Sequence, residues 1–410
     1  MRSLQMPEFL HFVQVMPVIA ALTCFILCCY FLTSLALLAG TYFNFPQRSF
    51  PNQSTNERPF ISILIAARNE EKHLPACLDS LLQSDYARDR FEIIVIDDGS
   101  TDGTLKTTEL YAQRYPQVRA ISVPQRSPGL TGKANALAQG AAHARGDFFL
   151  FTDADCILPP TWMRGMIALF SPATGLAGGF TLLHPPPWAM RFLSNERDTF
   201  FAKLQSLDWI YLLTIGAGAA GLGLPLSIIG NNFAVRREAY EHAGGHARIG
   251  FSMVEDFALM RKITSTAKWH VRFPLEQETA IFSFPAQNWG EFFEQRRRWA
   301  AGGREFGGFA KYLMMLALCC HGALLLAAFV SLELFAVGLL GLLLMDFFLL
   351  ARGTTALRCQ SLLKYFLPFR AGFLMYNLLL APIFLFSTSV RWKGRRYRWD
   401  LRRRWHAIEE

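Results

Sequence analysis

The sequence predicts a mixed α/β fold, with a mostly parallel sheet flanked by helices, held between apolar segments long enough to cross a bilayer. Three observations predict it. Strand-like apolar runs alternate with helical patterns between residues 60 and 153, acidic residues stand at the ends of those runs, and uncharged stretches lie before and after them. The composition agrees, with 52% hydrophobic and only 18% charged residues. Soluble globular domains carry about 25% charge, so the figures argue against a wholly soluble or disordered chain.

The first element is residues 17–43, which hold no charge. That length exceeds the ~20 residues needed to cross a hydrocarbon core and the ~7–15 of a signal-peptide apolar region. A retained membrane helix is expected within residues 1–45. Residues 46–58 are polar and Pro-rich, a linker by composition.

Residues 60–67 (FISILIAA) form the first core strand. Leu74, Cys77, Leu78, Leu81 and Leu82 then repeat at helical spacing. Residues 91–96 make a second buried strand that ends on Asp97-Asp98-Gly99-Ser100. A helix over 104–115, a short strand over 118–123 and a helix over 132–144 follow. A fourth strand, 147–152, runs into Asp153-Ala154-Asp155. Strands alternating with helices imply a parallel sheet whose ligands bind beyond the carboxyl ends of the strands.

Two nucleotide motifs are missing. The first strand-to-helix turn reads Ala66-Ala67-Arg68-Asn69-Glu70 and lacks the glycines of a dinucleotide fingerprint. Gly216-Ala-Gly218-Ala-Ala-Gly221 has the right spacing but sits in an apolar run, 210–229, unlike a phosphate loop. The glycines around Lys133 do not have Walker A spacing.

Residues 312–351 are too long for one crossing and predict two helices with a tight turn near 331–333. Residues 373–390 supply a further candidate, with Pro382 inside it. The membrane region thus spans 312–390, giving four crossings in all. Residues 391–410 hold eight Arg or Lys against three acids, a net +5 of the chain's +9. Three crossings after a cytoplasmic region would place that basic tail outside, against the positive-inside tendency, so the parity stays open. The eight cysteines lack paired metal-site spacing, and five lie in apolar runs, where Cys behaves as a small hydrophobe.

The chemistry lies in acidic groups at strand ends or polar breaks: Glu70, Asp97-Asp98, Asp153-x-Asp155 and Glu255-Asp256. Carboxylates at one sheet edge suit a hard divalent cation sharing a diphosphate, Mg2+ or Mn2+. The alternative for each pair alone is a turn or helix cap. Their order and company carry more. Ala67-Arg-Asn-Glu-Glu71, Val95-Ile-Asp-Asp-Gly-Ser-Thr-Asp-Gly-Thr104, Gly132-Lys-Ala-Asn135, Asp153-Ala-Asp155, Val254-Glu-Asp256 and Gln295-Arg-Arg-Arg298-Trp299 occur in one order. With these motifs, residues 60–300 resemble glycosyltransferase family 2, the inverting sugar-nucleotide enzymes of the GT-A fold.

The resemblance implies a catalytic domain over 59–275 and an interfacial amphipathic segment with QxxRW over 276–311. It implies that Glu70, Asp97 and Asp98 hold the uracil and ribose of a UDP-sugar. Lys133 would lie near the nucleotide, Asp153 near the ribose, and Asp155 would ligate the metal at the diphosphate. Asp256 would be the general base, with Glu255 as its fallback, and Gln295, Arg298 and Trp299 would shape the acceptor and diphosphate side. Read from composition alone, the Trp- and Arg-rich stretch ending at Trp299 is a basic helix on the headgroups.

The leading expectation is an inverting, metal-dependent transferase that moves a sugar from a nucleotide-sugar to a membrane lipid hydroxyl. The tail and the 230–240 segment resemble a branch that includes ceramide, hopanoid and carotenoid glycosyltransferases. A processive exopolysaccharide synthase and a degenerate membrane-anchored binding protein are the competing readings. The expected partners are a nucleotide-sugar, a lipid acceptor and the bilayer, without nucleic acid. The expected location is a bacterial inner membrane, with the catalytic domain cytoplasmic.

Overall fold

A computed structural model describes residues 6–43, 58–123, 130, 132–193, 199–250, 252–386, 389–392, 395–400 and 404–408. The linker expected at 46–58 lies outside these residues except for its last position. In chain order the first half runs α1 (Met6–Phe43), β1 (Ile61–Ala67), α2 (Leu74–Leu82), β2 (Phe91–Asp97), α3 (Thr104–Arg114), β3 (Val118–Ser122), α4 (Gly132–His143), β4 (Phe148–Asp153), β5 (Cys156–Ile157), α5 (Trp162–Ala168), β6 (Thr174–Gly178) and β7 (Thr181–Leu182). The second half runs α6 (Phe200–Gly221), β8 (Asn232–Arg236), α7 (Arg237–Ala243), α8 (Gly245–Ile249), α9 (Glu255–Thr264), β9 (His270–Arg272), β10 (Ile281–Ser283), α10 (Trp289–Gly302), α11 (Gly308–Val330), α12 (Leu332–Ala356), α13 (Phe366–Phe386) and β11 to β13 (Ser389–Trp392, Arg395–Asp400, Arg404–Ile408).

Seven strands form the main sheet in the order β3-β2-β1-β4-β8-β6-β9. Strands β1, β2, β3 and β4 are mutually parallel where they pair, and β8 runs antiparallel to both β4 and β6. The first three strands and four helices fall where the apolar runs and helical spacing predict them. Strand β1 is apolar at every position but Ser62 because helices cover both of its faces. Leu74, Cys77 and Leu78 pack with Ile63 and Ile65 on one side, while Leu64 and Ile96 meet Ala136 and Leu137 on the other.

Among the described residues three helices are long and apolar enough to cross a membrane: Met16–Phe43 within α1, Gly308–Val330 and Leu332–Ala356. The last two are separated by Ser331 alone, whose Oγ accepts from the Leu334 N–H and so caps α12. A serine cap does the work of the missing Gly or Pro. Helix α13 starts at Phe366 and carries a buried Arg370. The further crossing read from sequence at 373–390 falls on this helix as far as Phe386.

The apolar run at 210–229 is mostly helix. Gly216, Gly218 and Gly221 belong to α6, which packs on α1 and α12. A Cβ on Gly218 would lie 2.2 Å from the Leu37 carbonyl oxygen, and one on Gly221 would lie 1.9 Å from that of Gly40. These glycines let two helix backbones touch, as small residues do between membrane helices. The basic tail forms a three-stranded antiparallel sheet, which the composition alone does not foretell. It meets α10 where Arg297 Nη2 donates to the Ser389 carbonyl at 3.3 Å.

Replacing Gly218 with Val should cost about 1–3 kcal/mol or more, the scale of overpacking, and lower the Tm of the purified protein in detergent. Gly322→Ala is the control, because a Cβ there meets nothing within 4 Å. Equal Tm values for the two variants would contradict the glycine contact between α1 and α6.

Candidate active site at the carboxyl edge of the sheet

Two loops at the end of β1 and β2 are stitched together by their own polar residues. Asn69, at φ 58, turns the chain after β1, a conformation Asn tolerates. Its side-chain oxygen accepts from the Thr101 N–H at 2.8 Å, and the Ser100 and Thr104 hydroxyls accept from the Asn69 and Glu70 N–H groups at 3.0 and 2.8 Å. Glu71 closes the seam by accepting from the Gly103 N–H at 2.9 Å. The residues between the acidic positions of both motifs are therefore scaffold.

The register puts Ala67 opposite Asp97 and Ala66 opposite Asp153, so the two acidic strand ends flank the end of β1. Asp97 Oδ2 accepts from the Ser100 N–H at 3.2 Å, whereas its buried Oδ1 has no partner among the described residues. Asp98 stands 3.7 Å from Arg68. Glu70 meets His73 Nδ1 at 3.2 Å and also bears on Asp155. Burial first, then the charges of Asp153 and Glu70, push the Asp155 carboxyl up to about 6, while His73 and Lys133 oppose the rise.

Lys133 is the hub. Its Nζ lies 2.6 Å from Asp153 and 3.5 Å from Glu255, and donates to the Gly230 carbonyl at 3.0 Å. Burial works against its charge, but the carboxylates prevail and its pKa rises above the ordinary lysine value. Asp256 comes into the same group through Gly230, where a Cβ would sit 3.1 Å from Asp256 Oδ2 and 3.4 Å from Lys133 Nζ. Burial and neighbouring Glu255 push the Asp256 carboxyl up to about 7, against the Phe257 N–H it accepts from and the pull of Lys133. A carboxylate poised near 7 is suited to taking a proton at neutral pH.

Three consecutive arginines on α10 serve three surroundings, since each step along a helix turns about 100°. Arg298 faces the site: burial draws its pKa below the ordinary value, and Glu255, Asp153 and Asp256 counteract this. Arg297 is exposed and meets the tail sheet. Arg296 is buried and bridges Asp208 of α6, so the three do not form a single headgroup-facing patch. Trp299 turns away from the carboxylates and meets Trp209 at a ring-centroid distance of 4.6 Å. Gln295 is half-buried on the same helix and, among the described residues, makes no hydrogen bond to the acidic cluster.

The structure thus joins Lys133, Asp153, Glu255, Asp256 and Arg298 closely, brings Asp155 and Glu70 beside them, and keeps Asp97 and Asp98 at the neighbouring strand end. Sequence reasoning missed Gly230 and the Asp208–Arg296 pair. Asp208, a lone acid within an apolar helix, was the available signal. No three His, Cys, Asp or Glu side chains converge as a metal cage among the described residues. The fit to a cation rests instead on Asp155, whose raised carboxyl beside Asp153 and Glu70 is the repulsion that a divalent ion relieves. Mg2+ commonly takes only one or two protein carboxylates plus phosphates and water.

Comparison with known proteins agrees with this arrangement. Residues 62–243 match the model of glycosyl transferase family 2. A beta-monoglucosyldiacylglycerol synthase of Synechocystis is 27% identical over 280 residues, 66% of this chain and 53% of that protein. A dolichyl-phosphate beta-glucosyltransferase of Dictyostelium discoideum is 31% identical over 121 residues, 27% of this chain and 36% of that protein. The chain spans about half the length of the curated relatives that match it over the longest stretches. Among solved structures, a mannosyltransferase of Pyrobaculum calidifontis in complex with GDP-Man and Mn2+ superposes with a TM-score of 0.51, over 84% of this chain and 98% of that one, at 19% identity. That likeness carries the fold.

Lys133→Met should destabilise the protein by a few kcal/mol, toward the low end of the ~3–5 typical when one partner of a buried pair is removed, since Asp153 is 35% exposed. The sign with pH follows from raised carboxyl values. Without the lysine they rise further, and stability is lost as pH climbs through them. The Tm deficit against wild type should therefore be larger at pH 8 than at pH 5, and a deficit that does not change with pH would contradict this electrostatic account.

Proposed function

We propose, from the premise that residues 62–243 are a glycosyl transferase family 2 domain, that this chain is an inverting glycosyltransferase moving a hexose from a UDP-sugar to a hydroxyl of a membrane lipid. One observation carries the lipid part of this reading. Arg298 faces Glu255, Asp153 and Asp256 while its neighbour Trp299 faces Trp209 of the helix that docks on α1 and α12. The carboxylate site and the membrane helices thus share one wall. The Synechocystis relative, a beta-monoglucosyldiacylglycerol synthase, supports a lipid acceptor.

In this mechanism the unpartnered Asp97 Oδ1 accepts from the base of the nucleotide, with Asp98 and Glu70 nearby. Lys133 and Arg298 hold the diphosphate side, and Asp153 lies toward the ribose. Asp155, with Asp153 beside it, would hold Mg2+ or Mn2+, which supplies positive charge where negative charge builds on the leaving group. Asp256 takes the proton from the acceptor hydroxyl as that oxygen attacks the anomeric carbon from the face opposite the departing UDP. Burial and then Glu255 keep the Asp256 carboxyl raised, and the Phe257 N–H and Lys133 limit the rise. Gln295 and Trp299 border the acceptor.

Among the described residues one spanning helix stands before the catalytic region and two follow it, with α13 beyond them. In this reading the catalytic region lies on the cytoplasmic face of a bacterial inner membrane. The three helices after the catalytic region, α11, α12 and α13, are few for an export channel, which disfavours the polysaccharide-synthase alternative.

The pH profile tests Asp256. Below about pH 7 kcat/KM should fall tenfold per unit, because the base becomes protonated, and above it the rate should level. Asp256→Asn should leave UDP-sugar affinity within a few-fold and remove ~10²–10⁴ of the rate. A large affinity loss with little rate loss would make Asp256 a binding residue instead.

Asp155→Ala and chelation by EDTA should each abolish transfer, and Mn2+ or Mg2+ should restore it only to the wild-type protein. Products from membrane lipids and UDP-sugars should be organic-soluble monoglycosides by mass spectrometry. A long water-soluble polymer formed without lipid would point to a polysaccharide synthase.

A further inference from the structure

A cavity of about 400 Å³ lies where α1, α6, α10, α11 and α13 meet. Most of its lining is apolar, including Leu37, Ile215 and Leu313. Met315 of α11 and Leu374 and Leu378 of α13 line it while remaining 45, 37 and 44% exposed, so its mouth opens between these two helices, toward the hydrocarbon around α11. Trp299 and Leu226 line its inner end. Each is a step from the catalytic group: Arg298 precedes Trp299, and Gly230, four residues after Leu226, touches Asp256 and Lys133. Trp299 and Leu226 are thus the lining residues that stand nearest along the chain to the acidic cluster.

The wall is not wholly apolar. Arg296 and Arg370, 3 and 5% exposed, line the cavity. Arg370 Nη2 pairs with Asp346 at 2.7 Å, and Arg296 pairs with Asp208. Tyr30 and Tyr211 both donate to Asp346 Oδ1, at 2.5 and 2.6 Å, and Tyr376 donates to Asp208 at 2.5 Å. Beyond these pairs the Nε and Nη1 groups of both arginines, and Nε2 of His321 on the same wall, have no hydrogen-bond partner among the described residues. Buried polar groups of this kind cost free energy unless a partner meets them; the arginine groups are donors, whereas His321, whose Nδ1 donates to the Ala317 carbonyl, offers Nε2 as an acceptor.

We propose that this cavity is the chain subsite of an uncharged long-chain lipid alcohol, and that its two neutralised arginine pairs select against a lipid phosphate. Hydroxyl, ester or amide oxygens of such a lipid satisfy the open N–H groups without bringing a charge out of water. A phosphate gains no net attraction here, because each guanidinium already faces a carboxylate, so its desolvation cost is not repaid. The inference deepens the lipid-acceptor reading and rests on it for the direction of the hydroxyl. It also separates this chain from its dolichyl-phosphate glucosyltransferase relative.

The test uses the purified full chain in nanodiscs and two photoreactive probes with the same diazirine-bearing alkyl chain, one ending in a hydroxyl and the other in a phosphate monoester. Peptide mapping should place the alcohol on α11 and α13, with phosphate labelling there at least tenfold weaker. Ala317→Trp, which fills the lining at α11, should cut alcohol labelling at least tenfold, with UDP-sugar binding as the check that the protein is folded. Leu313→Trp replaces it if that check fails. Asp346→Asn, which frees the charge of Arg370, should shift the phosphate-to-alcohol labelling ratio upward at least tenfold.

Equal or stronger phosphate labelling in the wild type, or alcohol labelling that neither tryptophan alters, would overturn the proposal. Sugar transfer to the same alcohol is measured separately. Labelling in the cavity without transfer would remove the lipid-acceptor reading and leave a lipid site. Transfer with labelling elsewhere would remove the cavity and leave the acceptor reading intact.

Discussion

The pairing of Arg296 with Asp208 is the constraint from which the placement of the site follows. It joins α10 to α6, and the Tyr376 hydroxyl on Asp208 brings in α13. A buried ion pair of this kind is weak evidence of net stability, because desolvating both charges offsets most of their attraction, yet losing one partner costs about 3–5 kcal/mol. Its consequence here is rotational. With Arg296 held inward over Trp299 and Phe292, α10 can turn neither way without stranding a charge. Helical geometry then directs Arg298 to the carboxylates and leaves Trp299 against Trp209.

The catalytic cluster has a complementary economy of charge. Asp153, Glu255 and Asp256 surround a single lysine at close range, with Arg298 behind them. Burial first, and then the surplus of neighbouring carboxylates over the one ammonium, raises the carboxyl values to about 7 at Asp256 and about 6 at Asp155. The two surpluses suit different tasks. At Asp256 it leaves a group that accepts a proton near neutrality, and at Asp155 it leaves a site that gains most from a cation. Strained charge balance of this kind is typical of functional sites.

Much of this was legible in the sequence for a physical reason. Strands β1, β2 and β4 are covered on both faces, so their runs are apolar but for Ser62, Glu92 and Thr152, β2 and β4 end abruptly in acids, and the helices between them repeat at 3.6. The serine turn at Ser331 was placed by length alone. What could not be read was contact across distance. Asp208 meets Arg296 and Asp346 meets Arg370, and nothing in spacing pairs them, although an acid inside an apolar helix of a membrane bundle signals a buried partner. The arginines at 296–298 misled in the other direction. Adjacent charges read as one patch, whereas on a helix they diverge. The run at 210–229 was ambiguous between core and membrane floor because α6 is both: its glycines touch α1 while Ile215 lines the cavity.

A transferase that joins a water-soluble donor to a lipid must solve a solvation problem, since the donor's phosphates need polar surroundings and the acceptor's chain needs hydrocarbon. Two short segments of this chain cross that boundary. Leu226 to Gly230 passes from the cavity to Asp256 and Lys133 within four residues, and Trp299 to Arg298 does so in one. Neither segment is long enough to move independently of what it touches, because Leu226 is fixed by the α6 packing and Arg298 by the buried pair of α10. The distance between the apolar cavity and the proton acceptor is therefore set by the same contacts that dock the α/β domain on its membrane helices. On the proposed function, a change that loosens that docking should lower transfer more than nucleotide binding, which that reading assigns to the loops stitched by Asn69, Ser100 and Thr104.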